Sequence, residues 1–262
     1  MADVTDNNTE EKGYTITSLQ RGIRIVEAIL RTENGASALE LEEEFGIPKT
    51  TIFRILHTLQ KENWLEKQGE RYLAGHRLIQ NGLQSLSGME LRRIAVPYLD
   101  QLSRETEETA HIGIWAGKQV MLVEVCDGPK HIRISSRAGS LTSAHCSSLG
   151  KVLLANVVGA ESLREFYQGE ALEKRTANTI TDLGLLAEEL EKIKSRGYAV
   201  DNGEYHADVR CVAAPVRNAF GSTVAALGIT ATTLTLKESM IPDVAEKVMK
   251  IAKEVSQALG AH

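Results

Sequence analysis

The stretch SALELEEEFGIPKTTIFRILHTLQK, residues 37–61, decides the fold of the first part of the chain. Ser37 followed three residues later by Glu40 is a capping box, which predicts a short helix. Gly46 permits a tight turn after it, and Pro48 suits the first turn of a second helix. The segment therefore predicts two short helices joined by a glycine turn.

The sequence on either side adds a helix and a hairpin. Before the stretch, apolar residues at i, i+4, i+7 and i+11 form one helix face: Leu19, Ile23, Val26 and Leu30. After it, Trp64–Lys67 and Arg71–Leu73 are typical of strands joined by a tight turn at Gly69. Three helices followed by a hairpin predict a winged helix-turn-helix domain. The third helix is expected to bury one face, made of Ile52, Ile55, Leu56 and Leu59.

Positive charge is concentrated on that third helix. From Phe45 to Lys61 the chain carries basic residues and no carboxylate, whereas residues 14–86 hold nine basic and nine acidic residues. Hydroxyl, guanidinium and ammonium groups at the leading end of a helix suit the major groove of DNA. The expected DNA contacts are Lys49, Thr50, Thr51, Phe53, Arg54 and His57 on the helix, with Lys67, Gln68 and Arg71 on the wing. An ordinary solvated helix face, in a bundle used only for dimerisation, is the alternative interpretation.

Composition limits the class of protein. The 262 residues are 42% hydrophobic and 25% charged, with a formal net charge of −5, so binding of polyanions by the whole surface is excluded. Three widely spaced cysteines do not imply a disulfide framework. The N-terminus lacks the apolar core of a signal peptide, and no apolar run is long enough for a membrane span. We therefore expect a cytoplasmic protein with no membrane partner.

The second half alternates strand and helix patterns, which predicts an α+β domain built on an antiparallel sheet. Gly117-Lys118 suits a hairpin turn, and His131–Ser136 has the alternation of a third strand. The expected division of the chain is a disordered tail at 1–13, a winged helix-turn-helix at 14–79, a linker helix at 80–96 and a larger domain at 97–262.

From residue 17 onward the chain resembles the IclR family of bacterial transcriptional regulators. The resemblance lies in the order and spacing of four segments: Glu42–Leu59, Tyr72–Gly75, His145–Ala155 and Arg196–Val216. It implies a DNA-binding domain, a linker helix and a GAF-like α/β effector-binding domain, assembled as a homodimer or a dimer of dimers. The expected function is repression of a catabolic operon, modulated by a small organic acid such as a sugar acid or keto acid, with no cofactor.

An effector site in the second domain follows partly from the residues and partly from the resemblance. Ser147 to Gly150 begin a helix, whose backbone N–H groups suit a small carboxylate. The family places polar groups around its ligand where this chain has Asp201 and Thr230. The expected site comprises Ile134, Thr142, Ser147, Ser148, Leu149, Gly150, Asp201, Val209, Cys211, Gly228 and Thr230. Cys146, Asp208 and Gly228 depart from the residues usual in the family.

The histidines and cysteines permit two other interpretations, a thiol enzyme or sensor and a metal-binding protein. The pair His145-Cys146 invites a thiol enzyme or a GAF-like sensor whose N-terminal helices serve only for dimerisation. Neighbours on a strand point to opposite faces, so their adjacency is no evidence of a catalytic pair. A metal site would draw on His145, Cys146, Cys211 and His111, but their spacing matches no known ligand pattern. We expect neither catalysis nor a bound metal.

Overall fold

The computed structural model describes residues 15–131 and 133–261, and the chain divides into two compact units at Gly88 and Met89. The expected tail at 1–13 lies outside the described residues. The segment 80–96, expected as one linker helix, spans the end of one helix, this junction and the start of the next. The predicted architecture of an N-terminal helix-turn-helix domain and a C-terminal α/β domain is confirmed.

In residues 15–88, the first unit follows the predicted order of elements. The helices are α1 (Thr17–Leu30), α2 (Ala38–Phe45), α3 (Lys49–Lys61) and α4 (His76–Ser87). The strands are β1 (Ala36–Ser37), β2 (Leu65–Gln68) and β3 (Arg71–Ala74), in the order β1-β3-β2 with antiparallel pairing. The hairpin β2–β3 is the wing that the sequence predicts.

Local signals in the sequence set the boundaries of α2. The Ser37 hydroxyl accepts a hydrogen bond from the Glu40 backbone at 3.2 Å, and the Glu40 carboxylate accepts one from the Ser37 backbone at 2.7 Å. The predicted capping box is therefore confirmed. Gly46 ends the helix in the left-handed region, with φ of 60°, which a residue without Cβ adopts at little cost. This turn directs α3 away from α2.

The apolar stripe that predicts α1 is not the face that the first unit buries. Ile25, Ala28 and Ile29 enter the core, while Leu19 and Ile23 remain 59% and 52% exposed. Helix α1 therefore has two apolar faces, and periodicity alone does not show which one faces inward. On α3, Ile52 and Leu56 are fully buried, and Ile55 and Leu59 are partly buried against the same core, as predicted.

In the described part of the second unit, six antiparallel strands form one sheet. Helix α5 (Glu90–Thr106) is followed by β4 (Thr109–Ala116), β5 (Gln119–Cys126), β6 (Leu141–Ser143), α6 (Ser148–Leu153), α7 (Leu163–Tyr167), α8 (Leu183–Arg196), β7 (Ala199–Asn202), β8 (Val209–Arg217), β9 (Thr223–Thr232) and α9 (Ile241–Ala258). The strand order is β6-β5-β4-β9-β8-β7. Helix α6 continues as a π-helical turn over Leu154–Val158.

Each face of this sheet has its own apolar core. Helices α5 and α9 contribute Leu99, Leu102 and Val248 to a core with Ile112 and Ile229. On the other face, α6 and α8 bury their leucines against the strands. Since successive strand residues point to opposite faces, β4 takes part in both layers.

The prediction of a strand at 131–136 is wrong. Ile132 lies outside the described residues, and residues 133–137 are irregular. The edge strand β6 lies further on instead and pairs with β5. Alternation of apolar and polar residues is typical of any extended segment that has one buried and one exposed side, whether or not it pairs in a sheet. Here Ile134 lines a cavity. None of the helices in the described part of the chain has the length and hydropathy of a membrane span.

Candidate functional site

The first candidate site is the exposed face of α3. Lys49, Thr50, Phe53, Arg54 and His57 are all exposed, and Thr51 is half-buried at the start of the helix. Phe53 is 43% exposed, and the Lys49 ammonium lies 5.8 Å from the centre of its ring. The backbone N–H groups of Thr51 and Ile52 donate to the Pro48 carbonyl oxygen at 2.8 and 3.2 Å, which leaves those of Lys49 and Thr50 at the helix start to suit a phosphate. The predicted residues thus share one solvent-facing surface.

The wing adds two exposed side chains to this unit. Lys67 and Gln68 are exposed on β2, and the Lys67 ammonium lies 5.7 Å from the centre of the Tyr72 ring. Gly69 has a φ of 61° in the turn between the two strands. The wing therefore presents Lys67 and Gln68 to the solvent, as a backbone contact requires.

Arg71, predicted to contact DNA, is held by contacts inside its own unit. Its guanidinium donates hydrogen bonds to the backbone oxygens of Asn34 and Gly35, both at 2.8 Å. It also pairs with Glu40, the capping-box residue, at 3.1 Å. Arg71 therefore supports the loop before α2, and its contact with DNA stays a prediction. Local sequence patterns do not predict these contacts, because the partners lie more than 30 residues away.

The second candidate site is a cavity of about 680 Å³ in the second unit. It lies among the start of α6, the irregular segment at 134–140 and strands β7, β8 and β9. Nine of the predicted effector-site residues line it: Ile134, Thr142, Ser147, Ser148, Leu149, Asp201, Val209, Cys211 and Thr230.

Two predicted glycines do not line this cavity. A Cβ on Gly150 would lie 2.2 Å from the backbone oxygen of Ala144, and one on Gly228 would lie 2.2 Å from that of Val212. Both glycines are therefore explained by close backbone packing. The departure from the family at Gly228 is thus explained by its close packing on Val212. Two hydroxyls of β9, Thr230 and Thr232, line the cavity.

Several lining residues were not predicted as part of the site. They are His111, Leu122, Ser135, Ser136, Arg137, Ser140, Leu141, Tyr205, His206, Asp208 and Thr232. From the sequence, Asp208 is recognised only as a departure from the family, and His111 only as a possible metal ligand. The serines near Ile134 could have been inferred, because they share its segment. His111 and Tyr205 could not, since only the sheet pairing and the turn after β7 bring them to the cavity.

Asp201 is the buried carboxyl group in the cavity wall. Its Oδ1 accepts hydrogen bonds from the backbone N–H groups of Glu204 at 2.7 Å and Tyr205 at 3.3 Å. Its Oδ2 is buried and has no hydrogen-bond partner in the described chain. Burial raises the pKa of Asp201 to about 6, and the neighbouring Glu204 carboxylate adds to the increase. The site therefore offers a buried carboxyl oxygen at the cavity, with Cys211 opposite it on β8.

A buried ion pair lies directly behind Asp201. Lys151 on α6 is 1% exposed, donates a hydrogen bond to the Val200 backbone oxygen at 2.6 Å and pairs with the Glu204 carboxylate. Burial raises the pKa of Glu204, and Lys151 opposes that increase. Thr179 also donates to the Glu204 backbone oxygen at 2.7 Å. These contacts hold the turn whose N–H groups orient Asp201.

The histidines and thiols favour a binding site over a catalytic one. Burial raises the pKa of Cys146 to about 12 and that of Cys211 well above its ordinary value, so both thiols are protonated at neutral pH. His145 Nε2 bonds to the Glu173 backbone oxygen at 2.9 Å. Within residues 15–131 and 133–261, no three His, Cys, Asp or Glu side chains are grouped as metal ligands would be.

Two known sequence families match separate parts of the chain. The profile described as "IclR helix-turn-helix domain" matches residues 18–69, and "Bacterial transcriptional regulator IclR C-terminal" matches residues 83–257. A curated relative, the uncharacterized HTH-type transcriptional regulator RhmR of Escherichia coli K12, is 34% identical over 246 residues, which cover 94% of each chain.

Solved structures show the same fold. The crystal structure of the Thermotoga maritima IclR is 29% identical, with a TM-score of 0.75, covering 94% of this chain and 100% of that one. An IclR homolog from Microbacterium hydrocarbonoxydans, complexed with 4-hydroxybenzoate, is 21% identical with a TM-score of 0.81, covering 92% of this chain and 98% of that one. The second likeness concerns the fold alone.

Because Asp201 is buried, replacing its carboxylate with a neutral side chain should increase the stability of the protein, by an amount that depends on pH. We expect Asp201→Asn to raise the free energy of unfolding at pH 7.5 by about 1–3 kcal/mol, because the wild-type carboxylate is ionised in a poorly solvated place. The raised pKa favours the protonated group in the folded chain, so wild-type stability from this group increases as pH falls through 6 towards 3.8. The difference between variant and wild type should therefore vanish near pH 4 in urea unfolding.

His111 changes the stability in the opposite direction as pH falls. Its effect cancels when each variant is compared with wild type at the same pH. Burial lowers the pKa of His111 from 6.5 to about 4, so the folded protein loses stability from this group as pH falls from 6.5 to 4. The matched control is Glu188→Gln on the exposed side of α8, where we expect a change within about 0.5 kcal/mol. An Asn variant that is less stable at pH 7.5 would contradict the prediction.

Proposed function

The chain belongs to the IclR family of bacterial transcriptional regulators, and we propose that it represses a catabolic operon by binding operator DNA under the control of a small organic acid. The observation that carries the proposal is the presence of two sites in separate units. One is the exposed basic face of α3, and the other is the cavity that contains Asp201. Such a regulator acts in the bacterial cytoplasm.

The proposed DNA contacts divide by chemistry. Arg54 and His57 lie along the exposed face of α3, where they would meet base edges in the major groove. Lys49, Thr50 and Thr51 lie at its N-terminus, where they would meet phosphate oxygens together with the backbone N–H groups. Lys67 and Gln68 on the wing would contact the DNA backbone or the minor groove. Phe53 supplies an apolar group among these polar side chains.

The proposed effector is an acid because of the groups at one end of the cavity. Ser148 and Leu149 at the start of α6 line it, and the first N–H groups of a helix lack intrahelical acceptors. Arg137 is a basic residue of the same lining. The homolog from Microbacterium hydrocarbonoxydans supports an acidic ligand, since 4-hydroxybenzoate is a carboxylate. To control DNA binding, the acid has to bind the DNA-competent and incompetent states with different affinity.

Assembly as a homodimer is supported by the outer face of α1. Leu19, Ile23 and Val26 line an apolar groove of about 670 Å³ together with Ile55 and Trp64. An apolar groove of this kind on a small domain is typical of an interaction surface. A second copy of α1 suits it, because two helix-turn-helix units are needed to bind the two halves of a palindromic operator.

An enzyme or a sensor that does not bind DNA is the less favoured function. Both buried cysteines near the cavity have raised pKa values, and His145 bonds to a backbone oxygen, so neither forms an activated nucleophile. Dimerisation through the α1 groove would not require Lys49, Thr50 and His57, which are exposed on α3 and do not line that groove. Salt-dependent DNA binding separates the two functions.

Arg54→Ala tests the DNA-binding face. We expect operator affinity to fall by about 10- to 100-fold, because one base-contacting guanidinium is lost. The measurement is a gel shift at fixed salt with the DNA upstream of the protein's own gene, accompanied by circular dichroism to show that the fold is retained. Arg31→Ala is the matched control, since Arg31 pairs with Glu44 away from α3. Wild-type affinity in Arg54→Ala would refute the assignment.

Ser148→Leu tests the effector site. Ser148 is buried at the start of α6, so the larger side chain would fill the end of the cavity where the carboxylate is placed. We expect operator binding to persist while the response to a panel of small carboxylic acids is lost. Ser195→Leu on the exposed face of α8 is the control and should respond as wild type. An unchanged response of Ser148→Leu, with an unchanged melting temperature, would mean that the effector binds elsewhere.

Ile23→Glu tests the proposed dimer contact. A carboxylate in the groove would have to be desolvated on association, so we expect a smaller species in sedimentation equilibrium and weaker operator binding. Gln20→Glu adds the same charge to an exposed position of α1 and should leave both properties unchanged. If Ile23→Glu sediments as wild type, the α1 groove is not the contact between copies.

A further inference from the structure

Phe53 is an apolar side chain that the core of the first unit does not use. Of the five apolar residues on α3, which lies entirely within the described chain, Ile52 and Leu56 are fully buried, and Ile55 and Leu59 pack partly against the same core. The Phe53 ring is 43% exposed and is not part of this cluster in residues 15–88. Leaving apolar surface in water is unfavourable, so a partner that covers the ring would recover free energy.

The ring lies among side chains that are expected to contact DNA. Thr50 and His57 are exposed about one turn before it and one turn after it, on the same face of α3. The Lys49 ammonium lies 5.8 Å from the centre of the ring, within the range of a cation–π contact. This contact restricts the ring and places a positive charge beside it. A phosphate bound by Lys49 would therefore bring the ring close to the DNA.

The position of Phe53 along α3 suits contact with bases. It is the fifth of the 13 residues of the helix, which places it about 6 Å along the axis from Lys49. Helix-turn-helix proteins contact base edges with the N-terminal part of the recognition helix. The exposed neighbours of Phe53 in this part of α3 are polar, namely Lys49, Thr50 and Arg54. Phe53 therefore offers the base edges an apolar surface between polar side chains.

The major groove presents one methyl group among its hydrogen-bond donors and acceptors. Adenine, guanine and cytosine are distinguished there by donors and acceptors, whereas thymine also presents its C5 methyl group. The Phe53 side chain has no hydrogen-bonding atom, so it cannot distinguish those donors and acceptors. It can pack on the methyl group, because this contact removes apolar surface of both partners from water. Thymine is thus the base that matches the ring.

We propose that Phe53 is a specificity-determining residue for DNA binding, and that its ring packs on the methyl group of a thymine in the major groove. The inference rests on the proposed function, since it takes binding of operator DNA by α3 as given. It adds a preference for thymine to the polar contacts of Arg54 and His57. In the proposed homodimer the contact occurs once in each half of a palindromic operator.

The experiment removes the methyl groups from the DNA and leaves its sequence and charge unchanged. The DNA upstream of the protein's own gene is amplified with either thymidine or deoxyuridine triphosphate, and each fragment is titrated with the full-length protein at fixed salt, with unrelated competitor DNA present. For wild type we expect uracil DNA to bind more weakly, by about 4-fold for each methyl group or about 15-fold for two half-sites. Phe53→Ala should bind both fragments equally.

Two control variants show whether the preference belongs to this ring. Thr50→Ser removes an exposed methyl group one turn before Phe53 and should keep the preference for thymine DNA. Lys67→Ala on the wing should weaken binding to both fragments by the same factor, because it removes a contact with the DNA backbone. The inference is overturned if a folded Phe53→Ala variant keeps the preference, or if Thr50→Ser loses it.

Phe53→Gln keeps the test decisive if Phe53→Ala does not fold. Glutamine favours helical structure but has no ring to pack on a methyl group, so this variant should also lose the preference. Circular dichroism shows whether each variant is folded, and sedimentation equilibrium shows its assembly. A species smaller than wild type would assign the ring to a contact between copies of the chain and would overturn the inference.

The outcomes also separate this inference from the proposed function. If wild type binds thymine DNA and uracil DNA equally, binding of the upstream DNA stands and the inference alone fails. If wild type binds neither fragment more tightly than unrelated DNA, the proposed function is contradicted together with the inference.

Discussion

In the second unit two buried carboxyl groups, those of Asp201 and Glu204, lie near one buried ammonium group, that of Lys151. The polarity of the cavity depends on this excess of carboxyl groups. Lys151 pairs with Glu204, so Asp201 is left to the backbone N–H groups of the next turn and to the cavity. A second basic side chain here would pair with Asp201, and the carboxyl group would then belong to a structural ion-pair network. With one cation, the protein keeps a polar atom unsatisfied, which is unfavourable for stability but useful for binding.

The first unit also leaves groups unsatisfied, and there they are apolar side chains exposed to water. A domain of this size buries one core, formed by Ile25, Leu41, Ile52 and Leu56, yet α1 carries a second apolar face that its own core does not use. Leaving Leu19 and Ile23 in water costs free energy that association with another surface would recover. The two units thus retain unsatisfied groups of opposite kinds, apolar on α1 and polar in the cavity.

Much of the fold could be predicted from the sequence because its signals are local. The Ser37–Glu40 capping box, the turn at Gly46 and the hairpin at Gly117 each depend on residues within a few positions of one another. Contacts between distant residues could not be predicted. The partners of Arg71, Asn34 and Glu40, lie more than 30 residues back in the chain, and Thr230, which bonds to His111, is 119 residues away from it. Extended patterns such as His131–Ser136 do not show whether a strand partner exists.

Strand β4 links the cavity to the helix that follows the junction between the units. His111 points to the cavity, while its neighbours Ala110 and Ile112 point to the opposite face and pack in one core with Ala95, Leu99 and Leu102 of α5. Helix α5 begins directly after Gly88 and Met89, where the chain leaves the first unit. A tightly packed core transmits small displacements because it has few voids to absorb them. Strand β4 therefore joins the wall of the cavity to the core that supports α5, within the second unit.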